Sequence, residues 1–423
     1  MDEGIYKKSV LDNGIRVVTE ELSHGRSVSI GIWVSTGSRD EQAEENGISH
    51  FIEHLLFKGT KRRSALQIAK EIDSVGGVLN AFTGREYTGI YAKVLDKDLP
   101  LAVDVLSDIF LNSLFNPKDV EKERKVILQE ISLVEDTPDD YIHDLFNSAF
   151  FGNHPLGRAV LGTGETVSSF SRDQIYQYFK GHYIPSRMVI SAAGRLSHDR
   201  LVELIKGGLG EFFAEDRGRN IDPPQPSSTV IIKSKDLEQV HFCLGTASLP
   251  HCHPRRYSSY VLNSVFGGSM SSRLFQEIRE ERGLAYSVYS YLNAYMDAGS
   301  LTVYVGTSQE ALEKAIKLTV REAEKLTTRP IDDEELSNTR EQLKGNLLLS
   351  MEHTENWMSR LAKNEIYYGR SFSLKETIER IDEVTAEEVK ELAQEIFNPQ
   401  YFTLAILGPI SDGDISQDIL RQP

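Results

Sequence analysis

Two cysteines in 423 residues, Cys243 and Cys252, are too few for a disulfide framework, which points to a reducing cytosol. No run of residues approaches the ~18 consecutive apolar positions that a membrane-spanning helix needs. The start, Met1-Asp2-Glu3-Gly4, lacks a basic segment followed by an apolar one, so no secretory signal is expected. A mature chain whose presequence had been removed would read the same way. Positive charge is not in excess either. With 63 acidic against 47 basic residues the net charge is −16, which argues against the phosphate neutralisation behind nonspecific nucleic-acid binding. The same balance admits a cationic peptide as partner and otherwise serves solubility. What remains is the composition of a soluble globular protein, 40% hydrophobic and 26% charged, in a chain too long for one ordinary core. Two or more domains are expected.

The proline-rich stretch Ile221-Asp222-Pro223-Pro224-Gln225-Pro226-Ser227-Ser228 reads as a mid-chain linker, so the division expected is 1–212, a linker over 213–228, and 229–423. The two sides share markers in the same order. Tyr183-x-Pro185 followed by Gly194 has the spacing of Phe397-x-Pro399 followed by Gly408, and Ser171-x-x-Gln174 and Thr385-x-x-Glu388 both read as capping boxes. Phe57-Lys58-Gly59 recurs as Phe266-Gly267-Gly268. Asp12-Asn13-Gly14 is a hairpin turn into Ile15–Glu20, and Ser27–Ser35 alternates like a strand. Helical periodicity runs over 98–112, 117–134, 309–326 and 332–350. The expected fold is α+β, with helices packed on a mainly antiparallel sheet, occurring twice.

His50-Phe51-Ile52-Glu53-His54 carries the chemistry. On a helix, His50 and His54 stand one turn apart on one face with Glu53 beside them. Two imidazoles so spaced can hold one Zn²⁺, and the glutamate can take a proton from an activated water. Asn46-Gly47 offers the N-terminal break, and Ile48, Phe51, Ile52, Leu55 and Leu56 an apolar face. A buried helix with two hydrogen-bonded histidines would show the same pattern. A catalytic zinc usually takes a third protein ligand. The segment Asp119–Val134 reads as a helix with Val120, Ile127 and Val134 on its apolar face, and Glu130 lies close to that stripe, where a carboxylate is costly unless paired or metal-bound. Salt bridges on a solvated face with Lys122, Arg124 and Lys125 are the alternative for Glu123 and Glu130. His251-Cys252-His253 is a weaker metal candidate, because three consecutive residues rarely converge on one ion. In the repeat, Ser259, Leu262 and Asn263 take the places of His50, Glu53 and His54, so the second half lacks these ligands.

His50-x-x-Glu53-His54, with Glu130 following His54 after 75 intervening residues, resembles the inverted zinc-peptidase motif of the pitrilysin family, the inverzincins. Within that family the chain looks like the mitochondrial-processing-peptidase branch and its bacterial homologues. The likeness extends through Gly47-Ile48-Ser49, Leu55–Thr60, Gly76-Gly77-x-x-Asn80-Ala81-Phe82-Thr83, and Ser272-Arg273-Leu274 to Gly283-Leu284-Ala285-Tyr286. The resemblance implies a clamshell of two homologous halves around a peptide chamber. It implies one zinc per chain held by His50, His54 and Glu130, with Glu53 as general base and Glu123 supporting the ligands. It makes Gly76–Leu95, with Asn80, Ala81 and Phe82, the edge strand that receives the substrate, an assignment to which the alternation of Ile90, Ala92 and Val94 as a strand is suited. It brings Arg279 and Tyr286 to the scissile carbonyl, with Arg282 a nearby competitor for the arginine role. A surface helix residue paired with Glu281 or Glu277 is the other reading of Arg279. Asp140 and Asp144 match acids that hold an arginine just upstream of the cleaved bond, although the family's first acid is typically glutamate. A solvated acidic loop after Pro138 is the other reading of these aspartates. Phe57 matches a residue lining the pocket for the side chain after the bond. The expected activity is zinc-dependent endoproteolysis of unfolded or short peptides. The alternative is a noncatalytic subunit or peptide-binding partner of a processing-peptidase-like complex, whose members have usually lost motif residues. By the same likeness the chain is expected in a bacterial cytoplasm as a homodimer, with a heterodimer or a mature organellar form as further options.

Overall fold

The computed structural model describes residues 4–411 except 24, 217, 220 and 221, together with 415 and 417–420. Met1–Glu3 and Ile221, which enter the readings of the N-terminus and the linker, lie outside the described residues.

Six strands make the first sheet: β1 (Ile5–Val10), β2 (Arg16–Glu21), β3 (Ser27–Val34), β4 (Val78–Thr83), β5 (Thr88–Leu95) and β6 (Met188–Gly194), in the order β1-β2-β6-β3-β5-β4. Only the β2–β6 pair is parallel. The turn Asp12-Asn13-Gly14 joins β1 to β2, and Gly14 takes φ 89°, a left-handed conformation open to glycine at little cost. The second sheet holds β7 (Val230–Ser234), β8 (Val240–Ser248), β9 (Ala285–Ala294), β10 (Gly299–Thr307) and β11 (Thr403–Gly408), in the order β7-β11-β8-β10-β9. Without β1, the first order reads β2-β6-β3-β5-β4, which is the second arrangement strand for strand. In both, a parallel pair stands at one side and a hairpin at the other. The repeat is therefore structural.

The periodic segments form the helices Leu99–Asn112, Pro117–Asp136, Leu312–Thr328 and Asp333–Ser350. Thr385 makes a full capping box with Glu388, whereas Ser171 caps through the Gln174 N–H alone.

The chain gathers into two compact units that are not contiguous in sequence. The first comprises residues 1–132, 159–221 and 349–373, and the second comprises 133–158, 222–348 and 374–423. This differs from the division at 213–228 by two segments, and the reason is the second face of each sheet. In β3, Val28, Ile30, Ile32 and Val34 join the core containing Ile48 and Phe51, while Trp33 points the other way. There it meets Met358 and Leu361 of the helix Thr354–Tyr368, a segment from late in the chain. In β11, Leu404 and Ile406 face the second unit's own helices, while Ala405 and Leu407 face Ile142, Phe146 and Phe150 of the helix Pro138–Phe151. A Cβ on Gly245 would come within 2.5 Å of the Phe146 ring, so glycine lets that helix sit close on β8. Strands apolar on both faces need cover on both faces. Each unit takes its second cover from the other half of the sequence. Among the described residues no helix is long and apolar enough to cross a membrane.

Candidate metal centre and active site

The helix Ile48–Leu56 begins at Gly47, whose φ of 95° and close approach to the Leu161 carbonyl leave no room for a side chain. Glycine cannot cap with a side chain, and Glu41 does so instead. Its buried carboxylate accepts the N–H groups of Gly47 at 2.8 Å and Ser49 at 2.9 Å, and the Asn46 Nδ2 at 3.3 Å. A negative group at a helix N-terminus suits the helix dipole. Burial nevertheless pushes the Glu41 carboxyl up to about 7, opposed by those donors. Ile48, Phe51, Ile52, Leu55 and Leu56 are all buried, which leaves His50, Glu53 and His54 on the partly open face.

The two imidazole rings lie 4.7 Å apart, centre to centre. Glu130, from the helix Pro117–Asp136, brings Oε2 to 3.7 Å from His50 Nε2 and 3.4 Å from His54 Nε2. One donor atom from each of the three lies within 4.8 Å of the others. Tetrahedral zinc, with bonds of about 2.0–2.1 Å, separates its ligand atoms by about 3.4 Å, so this donor set fits the ion in both spacing and chemistry. The choice between ligand and surface ion pair for Glu130 is thereby narrowed. It faces the histidines, whereas Arg124 is taken up by Glu121 and the carbonyls of Val167 and Phe170. Glu123 is also turned inward and only 2% exposed. Its Oε2 accepts from His54 Nδ1 at 3.2 Å, and its Oε1 meets Lys58 Nζ at 2.8 Å. Such a partner fixes which nitrogen of His54 is free to ligate. Burial and the neighbouring His54 push His50 down to about 4, so it is neutral at pH 7, the form that binds metal. His50 Nδ1 is buried without a hydrogen-bond partner among the described residues.

Glu53 stands beside this group and not in it. Its Oε2 accepts the Thr83 hydroxyl at 2.5 Å, and burial raises its pKa against that bond. Nothing in the sequence had marked Thr83 for a role of its own.

β4 is one edge of the first sheet, opposite β1. The alternating Ile90, Ala92 and Val94 belong to β5, which is flanked by β3 and β4 and is no edge, so that part of the sequence reading is corrected. Along β4, Leu79 and Ala81 join the core under the Ile48–Leu56 helix, while the Phe82 ring packs on the opposite face against Trp33 at 5.1 Å, Tyr87 and Tyr91. Asn80 Oδ1 accepts the Ala81 N–H at 2.9 Å. Phe57 closes the Ile48–Leu56 helix and packs half-buried on the first core.

Arg279 and Tyr286 both lie in the second unit. Arg279 sits on a wide π-helical turn, Phe275–Glu280, with its guanidinium 5.2 Å from the Tyr286 ring and 4.8 Å from that of Phe275. Tyr286 is 80% exposed. Arg279 Nε also lies 3.7 Å from Glu280 Oε1, while Arg282 pairs more closely, 2.8 Å from Glu277 and 3.5 Å from Glu281. Asp140 and Asp144 lie on the helix Pro138–Phe151 and so also belong to the second unit. Between them His143 hydrogen-bonds the hydroxyls of Tyr291 at 2.7 Å and Tyr289 at 3.2 Å, a contact between residues far apart in the chain that no motif signals. His251, Cys252 and His253 form no metal group; among the described residues His50, His54 and Glu130 are the one cluster that does. In the matching helix Arg256–Phe266, Leu262 is fully buried and Asn263 bonds the Ser290 hydroxyl.

Residues 16–164 match the family model described as Insulinase (Peptidase family M16), and residues 169–343 the one described as Peptidase M16 inactive domain. The latter includes the helix without ligands. A Bacillus subtilis protein named Uncharacterized zinc protease YmxG is 44% identical over 405 residues, 96% of this chain and 98% of its own. An uncharacterized zinc protease of Mycobacterium leprae is 42% identical over 409 residues, 95% of this chain and 91% of its own. The crystal structure of a protease from Helicobacter pylori superposes with a TM-score of 0.90 over 96% of this chain and all of that one, at 20% identity, which speaks for the fold.

Proposed function

The chain belongs to the insulinase family of peptidases, family M16, and we propose that it is a zinc-dependent endopeptidase acting on unfolded or short peptides. The observation that carries this reading is the complete set of His50, His54 and Glu130 donors with an unligated glutamate, Glu53, fastened beside them. A structural zinc site is usually closed by a fourth protein ligand, whereas three ligands and an adjacent base suit an open, hydrolytic one.

His50, His54 and Glu130 would hold the ion, and Glu123 would keep the His54 ring turned toward it. When bound, zinc supplies Lewis acidity, which makes water a better nucleophile near neutral pH and polarises the peptide carbonyl. Glu53 accepts the proton of the attacking water and returns it to the leaving amine. The open edge of β4 offers backbone donors and acceptors to an extended peptide, which favours unfolded substrates with little side-chain preference. Arg279 and Tyr286 are assigned as donors to the developing oxyanion. Asp140 and Asp144 would hold an arginine upstream of the bond, and Phe57 a bulky or aromatic side chain after it. By family resemblance the working form is a homodimer in a bacterial cytoplasm.

A noncatalytic, peptide-binding subunit is the competing reading, and retention of Glu53 counts against it, since binding needs no base. Cleavage of a quenched peptide, measured with and without zinc beside metal analysis, separates the two. Wild type should cleave only with zinc. Glu53→Gln should keep its zinc and lose about 10²–10⁴-fold in kcat. A Glu53→Gln protein that cleaves like wild type would overturn the mechanism.

A further inference from the structure

Thr83 closes β4, and its hydroxyl is the hydrogen-bond partner of the Glu53 carboxylate among the described residues. The Gly84 N–H bonds the Tyr87 carbonyl at 2.9 Å at the head of the hairpin. Bonded and non-bonded pairs alternate along an antiparallel ladder, so Thr83, Ala81 and Leu79 turn their own N–H and C=O groups to the open side of the sheet. With a side-chain period of two, the same three residues point their side chains at the Ile48–Leu56 helix. Leu79 and Ala81 pack against the core to which Phe51 and Ile52 of that helix belong, and Thr83 reaches Glu53. One residue thus presents its backbone to the peptide edge and its hydroxyl to the base.

We propose that Thr83 is a positioning residue that couples peptide addition on β4 to the orientation of Glu53; this rests on the peptidase reading above. A glutamate side chain has several staggered conformers open to it on a half-exposed helix face. The Thr83 hydroxyl selects one, and it does so from the strand that receives the substrate. A peptide that pairs along β4 holds that strand, and with it the base, in register with its own backbone.

Thr83→Val keeps the shape and removes the donor, and Thr83→Ser keeps the donor. The expected result is unchanged zinc content in both, KM within about threefold of wild type in both, and a kcat for Thr83→Val lower by about 10- to 100-fold, the range for losing one hydrogen bond to a charged group. Thr83→Ser should recover most of the wild-type kcat. Crystal structures of the two zinc-loaded variants give a readout independent of activity: the Glu53 carboxylate should leave its position in Thr83→Val and keep it in Thr83→Ser. Wild-type kcat in Thr83→Val, loss of zinc from it, failure of Thr83→Ser to recover, or an unmoved Glu53 in the valine variant would each overturn the proposal. A wild type that binds zinc yet cleaves nothing would overturn the peptidase reading instead, and the position of Glu53 in the two structures would still decide the coupling.

Discussion

Glu123→Gln and Glu123→Ala together test whether His54 is held for a metal or is simply hydrogen-bonded within a core. The Glu123 carboxylate is 2% exposed, accepts from His54 Nδ1 at 3.2 Å, and meets Lys58 Nζ at 2.8 Å. The glutamine keeps the shape and one acceptor for His54 but loses the negative charge that makes the imidazole a stronger donor to a cation. Loss of a partner behind a ligating histidine costs about 10- to 100-fold in metal affinity, so the glutamine should sit near 10-fold, or about 1.4 kcal/mol. The alanine removes the acceptor altogether and lets the His54 ring turn, so it should approach 100-fold, about 2.7 kcal/mol. The lysine side of the pair adds little, because Lys58 is about one-third exposed and water replaces its partner. Zinc affinity is read by competition with a chromophoric chelator on metal-free protein, with thermal melting as the check on folding. Two well-folded variants that bind zinc as tightly as wild type would refute the claim that Glu123 serves the metal through His54.

Tyr286→Phe should lower kcat by about 10²-fold with little change in KM, the signature of a donor used only as the oxyanion forms, and its high exposure predicts no change in melting; an equal rise in KM would mark it as a binding residue. In cleavage-site profiling of a mixed peptide library, Asp140→Asn/Asp144→Asn should lose a preference for arginine two residues before the bond, worth roughly 1.5–3 kcal/mol, and an unchanged profile would remove the assignment. Phe146 is fully buried and stacked on Phe150 at 5.4 Å, so Phe146→Ala should destabilise the second unit by about 3–5 kcal/mol in denaturant melts, and a loss below about 1 kcal/mol would contradict its place in that core.

Much of the centre was legible because it is local. His50, Glu53 and His54 are fixed relative to one another by helical geometry, and helical spacing follows from spacing in sequence. Their apolar neighbours announced the helix, and all five named for its buried face are buried. Glu130 was different. Helical periodicity put it on its helix but left open whether that face met histidines or solvent, because the answer depends on how one helix packs against another. Thr83 went unmarked for the same reason. A threonine at the end of a strand says nothing by itself, and its role depends on the hairpin turning its hydroxyl toward a carboxylate thirty residues earlier in the chain.

The sequence by itself determined the local elements, the repeat and the residue types of the centre, since turns, caps, periodicity and metal-ligand spacing are encoded within a few residues of one another. It also determined that the second half lacks ligands, because Ser259, Leu262 and Asn263 cannot replace two imidazoles and a carboxylate. The tertiary structure alone decided that Arg282 is spent on Glu277 and Glu281 while Arg279 lies beside Tyr286. It alone decided that β4, and not β5, is an edge strand. It alone decided that Pro138–Phe151 and Thr354–Tyr368 cover sheets built from the other half of the chain. An apolar helix face records only that it must be buried. The burial free energy is non-directional, so which sheet receives that face is settled by shape, by the glycines at 31 and 245 that admit Met358 and Phe146, and by the face of each sheet still left to cover.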